Sequence, residues 1–186
     1  YDVPIRLTLA TGLRQGELLG LEWEDVDLDQ RLLLVQRTMT YVAGQVIFGP
    51  PKTERSRRTI ELSAAIAERL RAHRTAQTSC RLMLGPAWQD YDMVFPSSIG
   101  TPWLSRPFYR GYRKVLERSG IASLDTVNWH SLRHTAATQW LRLGVDVFSV
   151  SRRLGHSSAS FTMDVYAHML TGQQRQAAEA LDHLLA

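Results

Sequence analysis

Residues 130–156 read HSLRHTAATQWLRLGVDVFSVSRRLGH, and this stretch decides the fold class. Its apolar residues recur at the spacing of an α-helix, and Gly144 and Gly155 divide it into two segments, near 130–143 and 146–153. The apolar stripe of the first segment consists of Leu132, Ala136, Trp140 and Leu143. Two short helices separated by glycine therefore predict a mainly helical domain at this end of the chain.

The N-terminal third adds a β component. Ile5–Leu21 has helical spacing that is interrupted at Gly12, which favours two short helices joined at a turn. The pair Ala43-Gly44 has the composition of a hairpin turn. Strands are predicted at Leu32–Thr40, Tyr41–Phe48 and Arg58–Leu62.

The rest of the chain is predicted to be mostly helical. Ser63 is a helix N-cap, followed by Ile66, Ala67 and Leu70 on one face. Residues 80–103 contain scattered Gly, Pro and Ser and are interpreted as loops around a short apolar piece, Met93–Phe95. Further helices are predicted near 105–118, 158–169 and 173–185. The expected fold is mostly α with a small antiparallel β-sheet (α+β), in a single domain over residues 1–186.

Composition bounds the function only loosely. The chain has 186 residues, a net charge of +4 and a pI near 9.6, which is compatible with a nucleic-acid partner. A lone cysteine, Cys80, excludes an internal disulfide framework and a Cys-rich zinc module. No apolar run approaches the ~20 residues that a membrane-spanning helix needs. Because the chain opens at Tyr1 on a helical pattern, we expect a fragment of a longer protein.

His130-Ser-Leu-Arg-His134 places two kinds of polar group on one helix. His130 and Arg133, three residues apart, share a face at the edge of the apolar stripe. Taken alone, this pentapeptide is more safely interpreted as a surface arginine and a hydrogen-bonded core histidine than as a functional site. His130 and His134 have the spacing of a metal pair, but no carboxylate lies between them and no usual third ligand is evident. No metal and no cofactor are therefore expected.

Two N-terminal motifs carry further charge. Arg14 follows the Gly12 turn and Glu17 lies one helical turn later, so a carboxylate can hold the arginine; a weak surface ion pair is the plain alternative. Lys52 lies in a basic, Pro-containing loop between predicted strands. Such a loop is either a solvated charged segment or a tip that reaches a polyanion.

Taken together, the motifs resemble the tyrosine recombinase (phage-type integrase) family. That family combines an Arg in a T-G-x-R-x-x-E context, a β-hairpin Lys, H-x-x-R, L-G-H and a Tyr near the C-terminus. The corresponding segments here occur in the same order: Thr11–Glu17, Pro51–Thr59, His130–His134, Leu154–His156 and Thr162–His168. The resemblance implies the tyrosine recombinase catalytic-domain fold and strand cleavage without metal or ATP.

The resemblance also implies a role for each residue. Arg14 and Arg133 would hold the non-bridging oxygens of the scissile phosphate, and His156 would add a hydrogen bond to it. Glu17 would support Arg14. The nucleophile would be Tyr166, whose free pKa of about 10 calls for assistance.

Proton transfer completes the implied mechanism. His130 is the candidate proton acceptor for Tyr166, and Lys52 is the candidate general acid for the leaving 5′-hydroxyl. The product would be a 3′-phosphotyrosyl link, which keeps the phosphoester energy for rejoining.

The implied partner is double-stranded DNA. Candidate DNA contacts, beyond the catalytic set, are Arg55, Arg57, Arg106, Arg110, Arg113, Lys114 and Arg118. The resemblance further implies an upstream DNA-binding domain, a homotetramer on paired sites (a monomer as an isolated domain), a tail at 173–186 that docks within its own chain or on a neighbour, and a prokaryotic cytoplasmic, nucleoid-associated location. Site-specific integration or excision is the expected function.

Three alternatives stay open on sequence grounds. A type IB DNA topoisomerase uses a similar residue set and the same phosphotyrosyl chemistry. A catalytically inactive relative would bind DNA without cleaving it. A helix-turn-helix transcription factor would explain the helices and the basic charge, but not the ordered motifs.

Overall fold

The two predicted N-terminal helices are present and meet at a left-handed glycine. The computed structural model describes residues 1–51, 56–120, 126–156 and 163. Helix α1 spans Asp2–Thr11 and helix α2 spans Gln15–Leu19. Gly12 ends α1 with φ +69° and donates its N–H to the Thr8 carbonyl at 2.7 Å. The break predicted at Gly12 is confirmed.

The β component forms two small antiparallel sheets. Its strands are β1 (Val26–Asp27), β2 (Leu32–Val35), β3 (Thr38–Val42), β4 (Gln45–Gly49) and β5 (Arg58–Glu61). The order β1-β2-β5 makes one sheet, and β3 pairs with β4 in the other. The predicted hairpin turn is confirmed: Val42 pairs with Gln45, and both Ala43 (φ +50°) and Gly44 (φ +84°) adopt the left-handed backbone of a two-residue turn.

The prediction of one strand over Leu32–Thr40 was wrong. The segment breaks after Val35, and its two halves join different sheets. At the break, Arg37 makes ion pairs with Glu22 and Glu24, and Gln36 donates to Asp25 Oδ1 at 2.6 Å. The partners in these contacts precede β2 in the sequence, and the contacts redirect the chain between β2 and β3.

The helices after the sheets agree with the predicted positions, with one correction. They are α3 (Ala64–Leu84), α4 (Ser105–Arg118), α5 (Trp129–Arg142) and α6 (Val147–Leu154). Ser63 caps α3, as predicted, and accepts the Ile66 N–H at 3.4 Å. The predicted loop from residue 80 was wrong for residues 80–84, because no helix breaker occurs before Gly85-Pro86. The helices predicted near 158–169 and 173–185 fall outside the described residues, except for exposed Met163.

Packing brings distant elements to one place. Helix α1 lies against α3 and α5, α2 lies against β3 and α4, and α6 lies against β5 and α5. The main core includes Leu7, Leu18, Leu33, Ile60, Phe95, Phe108 and Trp129. A smaller cluster of Ala137, Leu141, Val150 and Leu154 joins α5 to α6. As a result, the start of α2, the start of β5 and the end of α6 meet beside α5.

In the parts of the chain that the structure describes, no helix has both the length and the apolar character required to cross a membrane.

Candidate active site

Arg133 is the centre of the candidate site. It lies on α5, is 2% exposed, and reaches two backbone carbonyls that belong to different elements. Its Nη1 donates to the Gly12 carbonyl at 2.6 Å and its Nη2 donates to the Leu154 carbonyl at 2.7 Å. One guanidinium group therefore joins the end of α1 to the end of α6.

Arg14 is held at the start of α2 by Glu17. The Arg14 backbone N–H donates to Glu17 Oε2 at 2.9 Å, and Arg14 Nη1 donates to Glu17 Oε1 at 2.8 Å. Arg14 Nη2 lies 3.4 Å from the Gly155 carbonyl, at the end of α6. The Arg14 side chain is 39% exposed, while that of Glu17 is 2% exposed. The charge of Arg14 is therefore accessible to solvent, and the carboxylate that holds it is buried.

Arg58 is a site residue that the sequence reasoning missed. The sequence predicts it only as the first residue of a strand that follows the basic loop, yet its side chain is 6% exposed. Its Nη2 donates to Glu17 Oε2 at 2.9 Å and its Nη1 to Glu17 Oε1 at 3.2 Å. The alternation of β5 carried a signal, because Arg58 has the same parity as buried Ile60.

Glu17 is ionised although it is buried. Burial by itself raises the pKa of this carboxyl, but the hydrogen bonds and positive charge of Arg58, and then of Arg14, outweigh it and hold the pKa below its ordinary value. The carboxylate thus joins two guanidinium groups that come from α2 and β5.

His156 follows directly on the end of α6. Burial is the largest cause that lowers its pKa, and the nearby charges of Arg133, Arg14, Arg58 and His130 add to it, so that the pKa is about 4. This electrostatic coupling places five of the basic groups in one neighbourhood, and it leaves the His156 imidazole neutral at pH 7.

His130 and His134 lie one turn apart on α5, with ring centroids 4.7 Å apart. Burial lowers the pKa of His130, and the charges of His134, Arg133 and Arg14 add to the effect. Burial and Arg133 likewise lower the pKa of His134. Both imidazoles are therefore neutral near pH 7. Within the described ranges, no third His, Cys, Asp or Glu joins them to form a metal-binding group.

Gly155 permits the close approach of α6 to β5. It has φ +67°, and an ideal Cβ at this position would lie 3.0 Å from Arg58 Nη1. Both the left-handed backbone and the lack of space favour glycine. The Leu154-Gly-His156 motif thus has a local physical reason.

The other predicted residues fall into two groups. Lys52, Arg55 and Tyr166 lie outside the described residues. The remaining candidate DNA contacts are on the surface: Arg57, Arg106, Arg110, Lys114 and Arg118 are exposed and Arg113 is half-buried. Gln15, next to Arg14, lies with its Nε2 3.4 Å from the Ser105 carbonyl, so the first turn of basic α4 borders the site.

Comparison with known proteins gives one consistent family. The sequence profile of the phage integrase family matches residues 2–172. A tyrosine recombinase XerC-like protein of Caldanaerobacter subterraneus subsp. tengcongensis is 34% identical over 190 residues, covering 96% of this chain and 48% of the relative. The ICEBs1 integrase of Bacillus subtilis is 30% identical over 175 residues, covering 94% of this chain and 46% of the relative. The chain thus spans about half the length of these curated relatives.

Solved structures show the same fold. The Tn1549 transposon integrase in complex with transposon right end DNA has a TM-score of 0.79 at 23% identity, covering 97% of this chain and 58% of that chain. The XerA recombinase has a TM-score of 0.68 at 25% identity, covering 91% of this chain and 57% of that chain.

Proposed function

The chain belongs to the phage integrase family of tyrosine recombinases, and we propose that it is the catalytic part of a site-specific DNA recombinase. The reaction would be the cutting and rejoining of double-stranded DNA through a 3′-phosphotyrosyl intermediate, for integration or excision of a mobile genetic element.

The observation that carries this proposal is the convergence of Arg14, Arg133 and His156. These groups come from α2, from α5 and from the residue after α6. Arg14 Nη2 lies 3.4 Å from the Gly155 carbonyl and Arg133 Nη2 donates to the Leu154 carbonyl at 2.7 Å, so both guanidinium groups reach the two residues that precede His156. Arginine side chains supply positive charge, and their guanidinium groups match the geometry of phosphate oxygens. A preorganised cationic site of this kind stabilises the charge that develops on a phosphoryl group under attack.

In the proposed mechanism, the Tyr166 oxygen attacks the scissile phosphorus while Arg14 and Arg133 bind its non-bridging oxygens. The O–P bond to tyrosine forms as the bond to the 5′ oxygen breaks. His130, whose lowered pKa leaves it neutral, accepts the phenolic proton. Lys52 protonates the departing 5′ oxygen. Reversal of these steps by another 5′-hydroxyl rejoins the strand without ATP or a metal ion.

The wider assembly is part of the same proposal. The partner is double-stranded DNA, supported by the DNA complex in which the Tn1549 integrase was solved. The basic, exposed face of α4 borders the site and would contact the phosphate backbone. The proposal also includes a homotetramer on paired sites and an upstream DNA-binding domain. The tail at 173–186 would dock in the same chain or on a neighbour, and the protein would be cytoplasmic and associated with the nucleoid.

A suicide-substrate assay tests the function. Nicked duplexes tiled across the DNA that flanks the gene are incubated with the chain, and covalent adducts are detected after denaturation. We expect an adduct that Tyr166→Phe abolishes and that Tyr91→Phe, at an exposed tyrosine, retains. DNA binding without any adduct would instead identify an inactive relative. Relaxation of supercoiled plasmid with no exchange between paired sites would favour a topoisomerase.

A further inference from the structure

We propose that Arg58 is a positioning residue for the recombination reaction, one that orients Arg14 through Glu17 and fixes the turn that precedes His156. This proposal rests on the function proposed above. It concerns a buried residue whose guanidinium group bonds four acceptors of the protein itself, so its role would be to position other groups and not to bind the DNA.

The first argument is the geometry of the Arg58 guanidinium. Its Nη1 and Nη2 pair with the two oxygens of Glu17, at 3.2 and 2.9 Å. Its Nε donates to the Arg153 carbonyl at 2.7 Å, and Nη1 also donates to the Ser56 carbonyl at 3.0 Å. All these donors lie in one rigid plane, so the positions of their acceptors are fixed relative to one another.

The second argument concerns Arg14. Each carboxylate oxygen of Glu17 accepts a hydrogen bond from Arg14 as well as one from Arg58. Oε2 accepts the Arg14 backbone N–H, and Oε1 accepts the Arg14 side chain. The Arg14 side chain is partly exposed, and ion pairs at exposed sites hold geometry poorly. The bidentate contact from Arg58 fixes the plane of the carboxylate from its buried side, and that plane sets the direction of the Arg14 guanidinium.

The third argument concerns the end of α6. Arg153, whose carbonyl accepts from Arg58 Nε, lies in the last turn before Gly155 and His156. The backbone at Gly155 also packs directly on the Arg58 side chain. Movement of the Arg58 fork would therefore shift the backbone on which His156 is mounted.

The fold has other supports at this point, which allows the role of Arg58 to be tested without unfolding the protein. The Arg153 side chain donates to the carbonyls of Ala10 and Glu61, at 3.0 and 2.9 Å, and lies 5.0 Å from the Trp140 ring centroid. These interactions hold α6 against α1, β5 and α5 independently of Arg58.

The decisive variant is Arg58→Lys. Lysine keeps the positive charge beside Glu17, but a single ammonium nitrogen has no planar fork and cannot reach all four acceptors. The matched control is Arg71→Lys, because Arg71 also bonds two carboxylates and a carbonyl (Glu68, Asp29 and Leu28) but lies away from the site. Each variant is compared with wild type for unfolding midpoint, DNA affinity, rate of adduct formation, and NMR resonances of Arg14 Nε–H and the His156 ring.

We expect Arg58→Lys to slow adduct formation tenfold to a hundredfold, in line with the roughly 10²-fold cost of a small misplacement of catalytic groups. DNA affinity should change less than twofold, the resonances of Arg14 and His156 should shift, and Arg71→Lys should do none of this. Glu17→Asp, which keeps both charges but withdraws the carboxylate by one methylene, should shift the same resonances and serves if Arg58→Lys proves unstable.

The experiments distinguish failure of the positioning role of Arg58 from failure of the proposed recombination reaction. Unshifted Arg14 and His156 resonances in both variants would overturn the positioning role, whether or not the chain cleaves DNA. Wild-type cleavage rates in Arg58→Lys would overturn it as well. Failure of the wild-type chain to form any adduct would overturn the proposed reaction alone, because the resonances report the geometry without catalysis.

Discussion

Removing the charge of Glu17 should destabilise the whole protein. Glu17→Gln keeps the side-chain shape, but it replaces one of two oxygens that accept four hydrogen bonds from Arg14 and Arg58. The new amide group would face N–H donors that have no acceptor. Arg58 would remain as a buried charge without its counter-ion.

The magnitude follows from burial. The exposed half of the network, Arg14, contributes little to stability by itself. The pair between Glu17 and Arg58 is buried, and breaking a buried ion pair by removing one partner costs about 3–5 kcal/mol. At about 2–4 °C per kcal/mol for a chain of this length, the unfolding midpoint should fall by roughly 6–20 °C.

Thermal and urea unfolding followed by circular dichroism measure this loss. Glu68→Gln is the matched control, because Glu68 pairs with Arg71 at the surface and its substitution should leave the midpoint nearly unchanged. A loss for Glu17→Gln below about 1 kcal/mol would refute the reasoning, since it would mean that the buried pair adds nothing beyond a surface pair.

The same pair predicts a dependence on pH. The pKa of Glu17 is lower in the folded protein than its ordinary value of 4.5, so its contribution to stability is fully present above pH 4.5. That contribution is lost as the pH falls through the lower, folded-state pKa. The difference in stability between wild type and Glu17→Gln should therefore narrow below pH 4.5, and a constant difference would contradict an ionised Glu17.

Three further predictions concern the rest of the site. In the free protein the His156 ring should titrate near pH 4, because burial and the surrounding positive charges both lower its pKa, and bound orthovanadate should raise that pKa because an anion favours imidazolium. An NMR titration giving about 6.5 without ligand would contradict both the burial of the ring and its cationic surroundings. Gly155→Ala should cost roughly 1–3 kcal/mol in urea unfolding, because φ is +67° and its Cβ would crowd Arg58; an unchanged midpoint would show that the backbone relaxes freely. Replacing basic residues of α4 by serine should weaken DNA binding and reduce the slope of log K against log salt by about 0.9 for each phosphate that is no longer neutralised, and an unchanged slope would remove α4 from the interface. The residues to replace are Arg106, Arg110 and Lys114.

Local pattern predicted the elements well where short-range signals exist. The Gly12 break, the Ala43-Gly44 turn and the Ser63 cap depend on backbone preferences of a few neighbouring residues, and all three are confirmed. The break between β2 and β3 could not be predicted in this way, because Arg37 is held by carboxylates from an earlier turn.

The residues of the candidate site also differ in whether the sequence alone could predict their contacts. The Arg14–Glu17 pair was predictable, because residues three apart on a helix are neighbours. Membership of the family was also predictable from the ordered motifs, and the comparisons confirm it. The proposed roles of Lys52 and Tyr166 stay predictions.

By itself, the sequence determined the helical class, the order of the basic motifs and the local support of Arg14. Only the tertiary structure decided that Arg58 shares Glu17, 41 positions away, and that Arg133 binds the carbonyls of Gly12 and Leu154. The physical reason differs for the two. Arg58 and Glu17 are too far apart in sequence for local geometry to pair them, and the acceptors of Arg133 are backbone carbonyls, which every residue carries and which therefore have no sequence signature. Both pairings are set only when the core packs α1, β5 and α6 beside α5.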